Sequence, residues 1–166
     1  MIKKSNKIIN CGTKISNKTS ETKKEGFSFM EKIKNNKKYK NKNIIILLEG
    51  CVGSGKTIFA KGIGKNLNIK QNINSPTFVL SKIYKTKNRK LYHLDLYRYI
   101  SSNTEDKTII FLIEELLENI EKNDIILIES CKDISNLINF WNFKINFIFI
   151  NEKTRNISLK EKINYE

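Results

Sequence analysis

The feature that most constrains this chain is a glycine-rich loop directly after an apolar run. Residues 44–48 are all isoleucine or leucine, and residues 50–57 read Gly-Cys-Val-Gly-Ser-Gly-Lys-Thr, which fits the pattern G-x-x-x-x-G-K-[ST]. A strand that ends in such a loop and continues as a helix directs backbone N–H groups, and the positive end of the helix dipole, to one point. The sequence therefore predicts a phosphate-binding loop after a buried strand.

The last two residues of this pattern carry its chemistry. In such loops the lysine reaches the β- and γ-phosphates, and the hydroxyl of the last residue binds a Mg²⁺ that bridges them. These residues are Lys56 and Thr57. We expect a nucleoside triphosphate and Mg²⁺ as cofactors, and the residues expected to contact the nucleotide here are Gly50, Cys51, Val52, Gly53, Ser54, Gly55, Lys56 and Thr57.

Length and cysteine usage set the class of protein. At 166 residues the chain predicts one domain that can bury a core without disulfides or a structural metal. The three cysteines are far apart and the chain has a single histidine, which disfavours a disulfide framework and favours a reducing compartment. No apolar stretch approaches the roughly 18–20 residues that cross a bilayer. We expect a cytoplasmic protein with no membrane partner.

The formal net charge of +14 raises the question of nucleic-acid binding. Nearly all of the basic residues are lysines, and lysine, asparagine and isoleucine are abundant in every region. This bias is more typical of drift in an A/T-rich genome than of a selected binding face. A basic surface still attracts polyanions, so weak, salt-sensitive contact with RNA is the electrostatic expectation.

The chain divides near residue 18. Residues 1–18 contain five lysines, no acid and no hydrophobic periodicity, and they predict a disordered basic extension. Residues 19–166 are predicted to form a single domain. Its first helix starts at Thr19 and carries Phe27, Met30 and Ile33 at helical spacing.

The helix after the loop should end near Leu67. It contains Gly62 and Gly64, which weaken a helix by about 1 kcal/mol each relative to alanine. A close approach of helix and sheet would be one reason for them.

Two extended segments, one from Ser75 to Tyr84 and one over residues 91–98, are joined by a short turn and predict antiparallel neighbours. Alternation in the second segment places Asp95 on the face of His93 and Tyr97, opposite Tyr92, Leu94 and Leu96. Asp95 could be a magnesium-binding carboxylate, or a half-exposed strand residue paired with Arg98 or a lysine. His93 alone is more often a structural, hydrogen-bonded histidine.

The second half of the chain continues the α/β pattern. An amphipathic helix is predicted over residues 108–118, then an apolar strand over 124–129 that ends in Glu129. An acid at this position in P-loop NTPases binds the magnesium shell or orients the attacking water, although it could also cap the following turn. A helix at 134–140 and strands at 143–150 and 155–159 follow. The predicted fold class is α/β, a P-loop NTPase-like mixed β-sheet with a parallel centre and antiparallel additions, flanked by helices.

Several motifs together resemble a known family. They are Leu-Glu before the loop, Ser-Pro-Thr-Phe at residues 75–78, His-Leu-Asp-Leu-Tyr-Arg at 93–98 and Ile-Glu at 128–129. In this order and spacing they resemble the TsaE (YjeE) family of small P-loop ATPases, from Thr19 to about Leu159. The resemblance implies a role in threonylcarbamoyladenosine modification at position 37 of tRNA, together with TsaD-like and TsaB-like proteins.

The resemblance also implies roles for individual residues. Lys56, Asp95 and Glu129 match the catalytic positions, and Thr57, Asp95 and Glu129 match the metal site. Thr19 and Thr22 match a helix start near the nucleotide base, and Arg155 matches a late arginine beside the nucleotide. The 75–78 segment resembles a switch-like loop, in which Thr77 could sense the γ-phosphate.

The chain departs from the family pattern at two places. Ser130 and Cys131 follow Glu129, where the family usually has Trp and Pro, and Cys51 replaces a common Asp of the loop. Binding through backbone N–H groups tolerates the second change, whereas the first bears on hydrolysis or its coupling to partners.

Two other functions fit the same loop. A small-molecule kinase would also use it, although such kinases usually clamp the migrating phosphoryl group with several arginines. A non-catalytic, nucleotide-dependent interaction subunit would bind ATP without hydrolysing it.

Overall fold

Seven strands and four α-helices make up the described part of the chain. The computed structural model describes residues 6–102, 105–138 and 140–164. In chain order the elements are β1 (Asn6–Ser16), α1 (Thr19–Asn35), a 3₁₀ turn (Lys37–Tyr39), β2 (Ile44–Glu49), α2 (Lys56–Asn66), β3 (Ser81–Lys85), β4 (Lys90–Asp95), α3 (Tyr97–Ser101), α4 (Asp106–Leu117), β5 (Ile125–Ser130), β6 (Phe143–Phe149) and β7 (Arg155–Asn164).

The seven strands form one mixed sheet in the order β1-β7-β6-β2-β5-β4-β3. The four central strands, β6, β2, β5 and β4, are parallel. The outer strands β7, β1 and β3 are antiparallel to their neighbours. The predicted fold class, with a parallel centre and antiparallel additions, is confirmed.

Each face of the sheet has its own apolar core. On one face Ile46, Leu48 and Leu127 pack with α1 and α2. On the other face Leu47, Ile126 and Ile128 pack with α3 and α4. Strands β2 and β5 are fully buried along their length, which is why they read as continuous apolar runs rather than alternating patterns. No helix formed by the described residues is long and apolar enough to span a membrane.

The predicted disordered extension contains a strand. Residues 6–16 form β1, which pairs with β7 and has an irregularity between Asn10 and Thr13, where Gly12 has φ +110°. Residues 1–5 lie outside the described residues. An edge strand is held largely by backbone hydrogen bonds, so it needs no apolar periodicity, and Ile8 and Ile15 are exposed. For this reason the sequence pattern did not reveal it.

Two predicted elements are shorter than expected. The extended segment from Ser75 begins with a turn, in which the Val79 N–H donates to the Pro76 carbonyl, so β3 starts only at Ser81. β4 ends at Asp95 because this side chain accepts a hydrogen bond from the Tyr97 N–H at 2.9 Å, which starts α3. Tyr97 therefore does not share the strand face of His93.

The helix predicted at residues 134–140 is wrong over the described residues. Only one turn forms, with the N–H groups of Leu137 and Ile138 donating to the Ile134 carbonyl. Asp133 accepts hydrogen bonds from the backbone and side chain of Ser135, and this local capping favours a turn over a longer helix. Asn139 lies outside the described residues.

The glycines of α2 serve helix–helix and helix–loop contacts rather than a contact with the sheet. A Cβ added at Gly62 would lie 2.0 Å from the carbonyl oxygen of Lys23 in α1, and one at Gly26 would lie 2.1 Å from the carbonyl oxygen of Phe59 in α2. Gly64 faces Ile73, in the segment after α2. The backbones of α1 and α2 thus cross in close contact, which fixes α2 and the loop that precedes it.

We predict that Gly62→Ala destabilises the protein by about 1–3 kcal/mol, because the new methyl group meets backbone rather than a movable side chain. This exceeds the gain of about 1 kcal/mol in helix propensity. Urea unfolding measures the difference, with Lys65→Ala at an exposed site of the same helix as the control. Equal stability of the two variants would contradict the close crossing.

Candidate functional site

The glycine-rich loop joins β2 to α2 at the carboxyl end of the central strands. Gly53 and Gly55 have backbone φ angles of +77° and +107°, which residues other than glycine rarely adopt, and Gly50 has φ of +151°. Gly55 is also the N-cap of α2, and no side chain caps the helix there. The first N–H groups of α2 therefore have no intrahelical partner, and Cys51 and Val52 are exposed beside them. This is the backbone arrangement that binds phosphate.

Lys56 lies across the start of the loop. Its Nζ donates to the carbonyl oxygens of Gly50 at 2.7 Å and Cys51 at 2.9 Å. The ammonium group is thus held at the mouth of the loop, where it supplies positive charge next to the helix N-terminus. A phosphate seated on the loop would meet both.

Thr57 is the first link of a hydrogen-bonded chain that spans three elements. Its hydroxyl donates to Glu129 Oε2, at the end of β5, at 3.0 Å. The other oxygen, Glu129 Oε1, lies 2.8 Å from Nε2 of His93 on β4. Glu129 and His93 are both buried. The structure therefore brings together the predicted loop hydroxyl and the predicted strand-end acid.

Asp95 lies beside Glu129 on the neighbouring strand. The two residues are register partners in the parallel pair β4 and β5. Asp95 Oδ2 accepts hydrogen bonds from the hydroxyls of Ser75 and Thr77, the latter at 2.6 Å. The predicted switch-like segment, residues 75–78, is thus attached directly to one of the predicted acids.

Thr22 and Arg155 meet on the other side of the loop. Arg155 Nη1 donates to the Thr22 hydroxyl at 3.1 Å, and both side chains are buried. A Cβ at Gly55 would lie 3.1 Å from Arg155 Cδ and 3.4 Å from Thr22 Cγ2, so the pair adjoins the last glycine of the loop. Thr19 is the first residue of α1, the helix that contains Thr22, but its side chain is exposed. The contacts beside the loop therefore involve Thr22 rather than Thr19.

A second charged cluster lies directly before the loop and was not anticipated from the sequence. Glu49 is buried at the end of β2, and burial raises the pKa of its carboxyl group to about 7, while Lys144, 3.9 Å away, opposes this shift. Lys144 also pairs with Asp133 at 2.7 Å. Burial favours a higher pKa for Asp133, but its hydrogen bonds from Lys144 and Ser135 hold that pKa well below its ordinary value.

The residues after Glu129 show how the family's Trp-Pro position is filled. Ser130 is buried and donates its hydroxyl to the Lys132 carbonyl at 2.5 Å, while Cys131 is half-buried against the α3 and α4 core. The chain's one tryptophan, Trp141, is buried elsewhere in that same core. A small polar turn therefore follows the acid instead of an aromatic side chain.

Two sets of residues that hold the acidic side chains in place were not predicted from the sequence. His93 holds Glu129, and Ser75 with Thr77 holds Asp95. Strand alternation did place His93 and Asp95 on one face. However, no sequence pattern shows that the histidine reaches diagonally to Glu129 on the next strand.

Comparisons with known proteins show which family this chain resembles in sequence. A sequence model of the family "Threonylcarbamoyl adenosine biosynthesis protein TsaE" matches residues 16–157. A tRNA threonylcarbamoyladenosine biosynthesis protein TsaE of Rickettsia prowazekii is 36% identical over 87% of this chain and 94% of its own length. The TsaE protein of Rickettsia typhi is 39% identical over 72% of this chain and 79% of its own.

A solved structure shares the fold. The crystal structure of YdiB from Bacillus subtilis superimposes with a TM-score of 0.60, covering 95% of this chain and 87% of that chain, at 20% sequence identity. The chain architecture is therefore one already seen in an experimental structure.

Proposed function

Since the chain belongs to the TsaE family of threonylcarbamoyl adenosine biosynthesis proteins, we propose that it is the ATP-binding and ATP-hydrolysing subunit of a tRNA-modifying assembly. In this assembly it works with TsaD-like and TsaB-like proteins that transfer threonylcarbamoyl to adenosine 37. The observation that carries the ATPase part of the proposal is the 3.0 Å hydrogen bond between the loop hydroxyl of Thr57 and the carboxylate of Glu129.

The donor set supports magnesium at this point. Mg²⁺ takes oxygen ligands, usually one or two carboxylates together with phosphates and water. Thr57 offers a hydroxyl, Glu129 a carboxylate in contact with it, and Asp95 a carboxylate on the adjacent strand at the same register. These three residues would hold the ion, which when bound neutralises charge on the β- and γ-phosphates.

The remaining residues act on the nucleotide directly. The glycine loop and the uncapped start of α2 bind the phosphates through backbone N–H groups. Lys56 exchanges its contacts with the Gly50 and Cys51 carbonyls for phosphate oxygens, so its charge is placed where negative charge develops during hydrolysis. Thr22 and Arg155 border the site beside Gly55, and we expect them to lie close to the bound nucleotide.

Glu129 positions the attacking water or the metal shell. Its carboxylate is buried and held on both sides, by His93 and Thr57, so its orientation is fixed before the nucleotide arrives. A fixed acceptor orients a water molecule without having to reorganise during the reaction. Hydrolysis by this subunit alone is slow, and partner binding raises it.

One experiment separates this function from its two alternatives. ATP hydrolysis is measured with the isolated protein and with the TsaD-like and TsaB-like partners. Stimulation by the partners supports the proposal. Phosphoryl transfer to a small molecule with no effect of partners supports a kinase, and tight ATP binding without hydrolysis under both conditions supports a non-catalytic subunit.

We predict that ATP with Mg²⁺ slows alkylation of Cys51. This thiol is exposed within the phosphate loop, so a bound nucleotide would restrict access to it. Cys11 is exposed on β1, away from the loop, and serves as the internal control. Mass-spectrometric labelling measures both rates in one sample, and an unchanged rate at Cys51 under saturating nucleotide would count against the loop as the binding site.

We predict that free tRNA binds this subunit weakly. The net charge of +14 provides nonspecific attraction, which should fall steeply as salt rises. Filter binding at low and near-physiological salt compares a tRNA that carries the target adenosine with one that lacks it. A clear preference at the higher salt would instead make the basic surface a tRNA-binding face.

A further inference from the structure

His93 occupies an unusual place for a structural histidine. It is completely buried on β4, and its Nε2 lies 2.8 Å from Glu129 Oε1. Its register partner on β5 is Leu127, so the ring reaches two residues along the neighbouring strand to contact the acid at its end. The strand pairing alone would not require this contact.

The contact restricts the acid at the reaction centre. Glu129 Oε1 is engaged by His93, and Oε2 faces the Thr57 hydroxyl at 3.0 Å. A carboxylate held at both oxygens keeps one orientation, whereas one held at a single oxygen can rotate away. Groups that fix a functional carboxylate in this way commonly contribute about 10–100-fold to metal affinity or activity.

The rest of the imidazole makes no competing bond. Among the side chains that the structure describes, buried His93 Nδ1 has no hydrogen-bond partner. Glu129 is therefore the protein group to which the buried imidazole is hydrogen-bonded.

We infer that His93 is a positioning residue, which holds Oε1 of Glu129 so that Oε2 faces Thr57 and the phosphate site. This role rests on the proposed ATPase function. It differs from a catalytic role, because the buried ring touches the acid rather than the nucleotide.

Two substitutions of His93 by amide side chains of different length test the positioning role. His93→Gln places its side-chain NH₂ near the position of Nε2 and should keep hydrolysis within about threefold of the parent, while His93→Asn is too short to reach Glu129 and should lower kcat about 10–100-fold. ATP affinity from calorimetry should change little in both. Tyr92→Phe removes a partly buried hydrogen bond to the Asn119 carbonyl, on the opposite face of the strand, and controls for general damage to β4.

A second measurement needs neither nucleotide nor activity. His93 is the only histidine in the chain, so a ¹⁵N NMR spectrum of the imidazole region contains one ring. We expect a slowly exchanging Nε2–H signal in the nucleotide-free protein, and its loss or shift in Glu129→Ala but not in Glu118→Ala.

The outcomes distinguish this role from the proposed function. If the parent hydrolyses ATP but His93→Gln and His93→Asn have the same kcat, the positioning role is wrong. It is also wrong if the Nε2–H signal is unchanged in Glu129→Ala. If the parent does not hydrolyse ATP even with its partners, the ATPase proposal is wrong, and the positioning role is rejected with it.

Discussion

Lys56→Ala should abolish ATP-dependent function while leaving the fold intact. The ammonium group is held at the mouth of the loop by the Gly50 and Cys51 carbonyls, and it is the loop's one side-chain charge. Because its removal takes away a charge-assisted contact to phosphate, we expect ATP affinity to fall at least about tenfold. Hydrolysis should fall further, because the charge acts most strongly on the transition state. Calorimetry and a phosphate-release assay measure the two effects.

Lys65→Ala is the matched control for this change. Lys65 lies on the same helix, is exposed and is at the opposite end from the loop. It should bind and hydrolyse ATP as the parent does. Unaltered ATP–Mg²⁺ affinity in Lys56→Ala would show that the loop does not bind the triphosphate.

Glu129→Ala should separate chemistry from binding. The loop and Lys56 remain, so nucleotide binding should stay measurable. Hydrolysis should fall by roughly 10²-fold or more, as loss of a positioned acid–base group does. The measurement compares single-turnover hydrolysis with ATP affinity, both in the presence of the partner proteins.

The buried environment of Glu129 makes its controls important. Its removal leaves His93 and Thr57 without their acceptor, which can lower stability by about 1–3 kcal/mol. Thermal unfolding must therefore show a folded variant, and Glu118→Ala at an exposed helix end provides the surface comparison. Hydrolysis at the parental rate by folded Glu129→Ala would mean that the acid is only structural.

Most of the fold could be predicted because its main signals are local. The apolar runs of β2 and β5, the glycine loop and the periodicity of α1 each indicate an element without knowledge of the others. β1 could not be predicted in this way, since its partner β7 lies at the other end of the chain and the pairing is through backbone groups. The close crossing of Gly26 and Gly62 is likewise a contact between two helices that no single segment reveals.

The site shows the same division. The loop motif indicates Lys56 and Thr57, the end of an apolar strand indicates Glu129, and strand alternation makes Asp95 a candidate. The supports of these acids, Ser75 and His93 among them, depend on strand order and register. Register between β4 and β5 brings His93 to Glu129, and it follows from packing across the whole sheet rather than from either segment.

The most direct test of the account is repeated tRNA modification. TsaD-like and TsaB-like partners, substrate tRNA and a preformed activated threonylcarbamoyl donor are combined with ATP and Mg²⁺, and threonylcarbamoyladenosine is counted per partner complex. Because ATP hydrolysis by this subunit is proposed to support repeated turnover of its partners, we expect many products per complex with the parent protein and far fewer without it or with Lys56→Ala. Equal product in all three reactions would contradict the claim that nucleotide turnover by this subunit supports the modification.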